Sequence, residues 1–127
     1  MRLVLDTSVI IDHLRGRPRA ATALIPDAIA RGDELHSSYV VRAEVLAGMR
    51  TQEEEATRDL LRLIFWHDVD ESVSEAVGSL GRRYLASHPG IEVADLIVAA
   101  LAQHLDGELK TTNLKHFPMF KGLKAPY

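Results

Sequence analysis

The sequence predicts an α/β fold, a small parallel sheet with helices on both faces, and three observations predict it. The run Leu3-Val4-Leu5 is apolar with no polar alternation, as in a strand covered on both sides. The other strand-like runs are separated by stretches of helical apolar spacing, long enough to cross over between parallel strands. Residues 94–105 are apolar almost all round, the pattern of a helix packed deep against a sheet.

The elements follow in order. Residues 3–5 make the first strand, and Asp6 then breaks the apolar run LVLDTSVII (3–11). Arg-Gly-Arg-Pro-Arg (15–19) is a breaker-rich loop. Ala21, Leu24, Ile25, Ala28 and Ile29 have helical spacing, with Pro26 as a kink. ELHSS (34–38) is a short strand ending in helix-cap residues. Val41, Val45, Leu46 and Met49 form the next helical stripe, closed by Gly48 or Thr51. Thr51 and Glu54 read as a capping box for a helix whose core face is Ala56, Leu60, Leu61 and Ile64. WHDV (66–69) is a third strand. Val73, Ala76, Val77, Leu80 and Tyr84 give another helix, SHPG (87–90) a turn, and ELKT (108–111) the last strand. The order is β-α-β-α-α-β-α-α-β in one expected domain, residues 1–127, without internal repeat or linker.

Composition narrows the function. With 46% hydrophobic residues the chain can build an ordinary core, and disorder is not expected. There are no cysteines, which excludes disulfides, thiolate zinc sites and a cysteine nucleophile, and suits a reducing cytoplasm. No stretch reaches the roughly 18 apolar residues of a membrane span, and the strand at Leu3 leaves no room for a signal peptide. No membrane partner is expected. The net charge of −3 argues against a general polyanion binder, so a nucleic-acid site must use a local basic patch.

Three carboxylates stand in apolar sequence: Asp6 just past the first strand, Glu44 inside a helix beside a core stripe, and Asp95 in the first turn of the buried helix. Each has an ordinary reading on its own. Asp6 and Asp95 suit helix caps, and Glu44 suits a solvated helix face. Together they are hard to bury without a shared cation. Sites in open α/β sheets gather at the carboxyl ends of strands, where Asp6 falls. Hard oxygen ligands without His or Cys favour Mg²⁺ or Mn²⁺ over Zn²⁺. Thr7 and Ser8 follow Asp6 and can orient it.

Other chemistries lack their motifs. His13, His36, His67, His88, His104 and His116 show no i, i+4 pair and no zinc spacing, and most read as surface residues. No glycine-rich phosphate loop is present. GSLG (78–81) has the wrong spacing for a serine-hydrolase elbow.

LVLDTSVIIDHL (3–14), SSYVVRAEVLAGM (37–49), IEVADLIVAALAQHL (91–105) and LKTTNLKHFPMF (109–120) together resemble the PIN-domain ribonucleases, and among them the VapC toxins of toxin–antitoxin pairs. Each pattern is short; their order and spacing along nearly the whole chain are specific. The resemblance implies a PIN-like fold and a metal-dependent endoribonuclease in which Asp6 and Asp95 bind Mg²⁺ (or Mn²⁺) directly. Glu44 then binds through water or completes the shell, while Thr7, Ser8, Thr112 and Asn113 orient carboxylates or hold phosphate. Many relatives carry a fourth acid in the closing turn. This chain has Asn113 and His116 there, which places a second metal ion in question; Glu92, three residues before Asp95, reads as solvated surface. The resemblance further implies an RNA substrate, a VapB-like antitoxin and a homodimer. Arg15, Arg17, Arg19, Lys110, Lys115, Lys121 and Lys124 are the basic residues expected near the site. The face carrying Leu60, Leu61, Ile64 and Phe65 is a candidate for partner binding or for core. A nuclease outside any toxin pair, acting in RNA processing or on DNA, and a catalytically weak RNA-binding module are the alternatives.

Overall fold

A computed structural model describes residues 1–127. Its first strand, β1 (Arg2–Leu5), is short because Asp6 stops it. Asp6 then caps the helix α1 (Thr7–Arg15) through its side chain, and Gly16 closes it at φ 67°, a left-handed conformation that costs glycine little. Residues 7–14, to which the sequence pattern assigns no element, are thus a helix, with Asp6 as its cap.

The chain continues through α2 (Ala21–Ala30), β2 (Glu34–Ser38), α3 (Tyr39–Ala47), α4 (Glu54–Leu61), β3 (Ile64–His67), α5 (Glu71–Tyr84), α6 (Val93–His104) and β4 (Glu108–Lys110). Pro26 lies inside α2, which continues through it. The box before α4 sits one residue earlier than the sequence suggests: the Arg50 N–H donates to Glu53 Oε1 at 2.9 Å, and residues 51–53 form a 3-10 turn. Ile64 belongs to β3, not to the helix before it.

The four strands lie in the order β3-β2-β1-β4, all parallel. The central pair is buried on both faces, as the unalternated apolar run requires. On one side α6 covers the sheet, with every residue from Leu96 to Ala102 buried. Leu3, Leu5, Val9, Ile10, Ile25, Val41, Val45 and Phe117 complete the core. Gly107 lets the chain pass β1 closely: a Cβ there would stand 2.9 Å from Val4 Cγ2. Leu60, Leu61 and Ile64 are core, and of the suggested partner face only Phe65 is well exposed. His36 departs from the surface reading. It is buried, with Nδ1 2.8 Å from His67 Nε2 and Nε2 3.0 Å from Glu34 Oε1. No helix is long and apolar enough to cross a membrane.

Candidate active site

The carboxyl ends of β1 and β4 meet where the register Leu5↔Lys110 runs out. The next residue on each strand is polar, and the two join: Thr111 Oγ1 donates to Asp6 Oδ2 at 2.7 Å, while the Thr7 N–H donates to Asp6 Oδ1 at 2.9 Å. Asp6 is 5% exposed and Thr111 fully buried. Thr111 is turned in place by the Asn113 N–H, which donates to its Oγ1 at 3.0 Å.

Glu44 reaches the same place from α3. The Thr7 hydroxyl donates to Glu44 Oε1 at 2.9 Å, tying α1 to α3 across the site. Asp95 arrives from the first turn of α6. Its Oδ2 accepts from the Glu92 N–H at 3.0 Å, a helix-capping contact, and lies 3.3 Å from His116 Nδ1. That nitrogen is buried and has no hydrogen-bond partner. Glu44 Oε2 and Asp95 Oδ1 have no protein partner either.

Asp6 senses the other two acids. Burial pushes the Asp6 carboxyl above its ordinary range. Hydrogen bonds from Thr111 and Thr7 pull it back, and the charges of Asp95 and then Glu44 add to the rise. An all-oxygen donor set around a carboxylate that resists ionisation fits a hard divalent cation, which would offset the repulsion. As they stand, no three acidic or histidine side chains lie close enough together to hold a metal ion among them. The set fits an ion of the Mg²⁺ type, which keeps several of its waters.

The remaining candidates fall nearby in different ways. Ser8 Oγ accepts from the Thr112 N–H at 3.1 Å, leaving the Ser8 proton free to donate. Thr112 contributes its backbone to that contact, and its hydroxyl is exposed without a partner. The side chain of Asn113 is exposed and makes no hydrogen bond, while its N–H supports Thr111. Glu92 is exposed. Two of the basic residues are held by local acids: Arg15 Nε lies 3.7 Å from Glu53 Oε2, and Lys110 Nζ lies 2.6 Å from Glu108 Oε1. Thr111 and His116 are the groups that sequence reasoning left out of the candidate set. The signal for Thr111 was its place one residue beyond the strand that pairs with β1.

The chain matches the PIN domain over residues 3–118. It is 43% identical to Ribonuclease VapC19 of Mycobacterium tuberculosis over 127 residues, the full length of both. It is 38% identical to Ribonuclease VapC10 of the same organism, covering 98% of this chain and 92% of that one. Among solved structures, a toxin–antitoxin complex from Klebsiella pneumoniae holds a chain with a TM-score of 0.78 and 27% identity, 98% of each chain being covered. A four-stranded parallel sheet in this order, matched in sequence from end to end, leaves one conclusion: the chain belongs to the PIN-domain family and, within it, to the VapC ribonucleases.

Proposed function

We propose that this chain, one domain over residues 1–127, is a metal-dependent endoribonuclease, the toxin of a toxin–antitoxin pair. The observation that carries the reading is the convergence of Asp6, Glu44 and Asp95, from three separate elements, at the carboxyl end of the sheet. Asp6 and Asp95 are the proposed direct ligands of Mg²⁺ or Mn²⁺, with Glu44 completing the site directly or through water. When bound, such a cation supplies charge stabilisation at the scissile phosphate and a more acidic water.

The protein's own part is orientation. Thr7 and Thr111 each hold one Asp6 oxygen, which leaves a further lone pair on each for a cation. The Glu92 N–H occupies Asp95 Oδ2 and leaves Oδ1 available. The free Ser8 and Thr112 hydroxyls and the exposed Asn113 amide are donors for phosphate oxygens. The substrate is RNA; the partners are a VapB-like antitoxin and a second copy of the chain. The reading is tested by incubating purified, antitoxin-free protein with labelled RNA and DNA in Mg²⁺, in Mn²⁺ or in EDTA. RNA cleavage that EDTA abolishes is the expected result. Undiminished cleavage in EDTA, or cleavage of DNA alone, would sink it.

Divalent metal should also raise the melting temperature. A ligand bound only by the folded state stabilises it by about 2.7 kcal/mol at a hundredfold excess over Kd. The shift should shrink in Asp95→Asn. A melting curve unmoved by millimolar Mg²⁺ and Mn²⁺ speaks against a preformed site.

A further inference from the structure

We propose that a groove between the start of α3, the end of α4 and the edge strand β3 is a nucleotide subsite, taking one base and its phosphate from a single RNA strand. The proposal rests on the ribonuclease reading and adds a second point at which the same strand is held. The groove has a volume of about 420 Å³, and its walls include Tyr39, Trp66, Arg42, Arg58 and Arg62.

These residues supply the two chemistries that recognise an unpaired nucleotide, a flat π surface and guanidinium groups. Trp66 Nε1 donates to Leu61 O at 2.9 Å, so its ring is fixed in plane before any ligand arrives. The Tyr39 ring lies near-parallel to it, 30° off with centroids 6.3 Å apart, and is 50% exposed. Such a platform accepts any base by stacking. Arg58 and Arg62 are steadied by local acids, with Arg58 Nε 3.7 Å from Glu54 Oε1 and Arg62 Nη1 2.6 Å from Asp59 Oδ1. Arg42 is half-buried in the wall and has no acidic partner, which leaves one positive charge for a phosphate.

The position suits a strand that also reaches the acids. Arg42 and Glu44 sit on the same helix, two residues apart, and so leave it on opposite sides. A strand must therefore pass over α3 to meet both. A second copy seated with the groove on its two-fold axis is a poorer occupant, because the arginines of one groove would then face those of the other.

Trp66 is the only tryptophan in the chain, so its fluorescence reads the groove directly. The full-length protein in EDTA, where cleavage is stopped, is titrated with adenosine, with adenosine monophosphate and with a short oligoadenylate. The expected result is saturable quenching, tightest for the oligoadenylate and weakest for adenosine. Quenching should weaken about tenfold in Arg42→Gln and in Tyr39→Ala, which keeps every guanidinium. With metal restored, the Arg42→Gln defect on RNA should lie in KM rather than in kcat. Cleavage by the wild type with no quenching, or quenching unchanged in both variants, overturns the subsite and leaves the ribonuclease reading standing. Quenching with no cleavage in Mg²⁺ or Mn²⁺ sinks that reading and leaves the groove an RNA-binding surface. A Trp66 signal that follows protein concentration rather than RNA overturns the subsite in favour of contact between copies.

Discussion

Asp6→Asn should lower RNA cleavage by at least on the order of 100-fold, while the metal-free protein melts no lower than the wild type at neutral pH. The lost charge is the one that two other elements converge on, and a charge effect of about 3 kcal/mol on the barrier corresponds to that factor. The fold should tolerate the change. Asn is as good a helix cap as Asp, so the contact with the Thr7 N–H survives. The sign of the stability effect follows from burial, which raises the Asp6 carboxyl above its ordinary 3.8. Below that pH the group is protonated in both folded and unfolded chains, and it contributes nothing. As pH rises toward the folded value, the unfolded chain ionises first and gains on the folded one. Above it the penalty is complete, and Asn removes that penalty. Cleavage assays and melting curves in EDTA check both halves. Full activity of the pure variant in Mg²⁺ removes Asp6 from the site; a large fall in metal-free melting temperature makes its charge structural instead.

Phe117→Ala should be among the most damaging single changes outside the acids. Phe117 is 1% exposed and belongs to the core. It ends the 3-10 turn of residues 114–116, its N–H donating to Leu114 O at 3.2 Å. Truncating such a residue costs about 3–5 kcal/mol, transfer and cavity together. In a chain of this size the melting temperature should fall by on the order of 10–20 °C. The damage should reach the chemistry as well, because the same turn carries Asn113, whose N–H holds Thr111 against Asp6. Metal should therefore stabilise the variant less than the wild type. Thermal melts with and without Mn²⁺ measure both effects. A drop of only a few degrees would show that the turn is anchored elsewhere.

The sheet and its helices were legible where the pattern was strong: unalternated Leu3-Val4-Leu5, the apolar stripe of α3 and the nearly continuous apolar run of α6. The helix α1 was not. Val9, Ile10 and Ile11 are β-branched and continue the look of a strand. Their helical state is set by the cap at Asp6, the left-handed Gly16 and burial of Val9 and Ile10, and the last of these is a tertiary effect. Asp6, Glu44 and Asp95 stood out because each is a charge in apolar sequence. Thr111 was hidden by a one-residue error at the end of β4. The strand stops at Lys110, and where side chains alternate in direction, such a slip turns attention from Thr111 to Thr112. The His36–His67 contact spans 31 residues and could not be read from local spacing.

The pairing of the first strand with the last has a consequence for how the protein is made. Asp6 is made well before its partner Thr111, which follows 105 residues later. At about 5–20 residues per second that gap is roughly 5–20 s of synthesis. Through that interval β1 lacks β4 on one side, and Asp95 has yet to join for most of it. A nascent chain therefore carries its acids apart. The cluster at the carboxyl end of the sheet is assembled only after β4 has been made, and Asp6 waits longest for its partner.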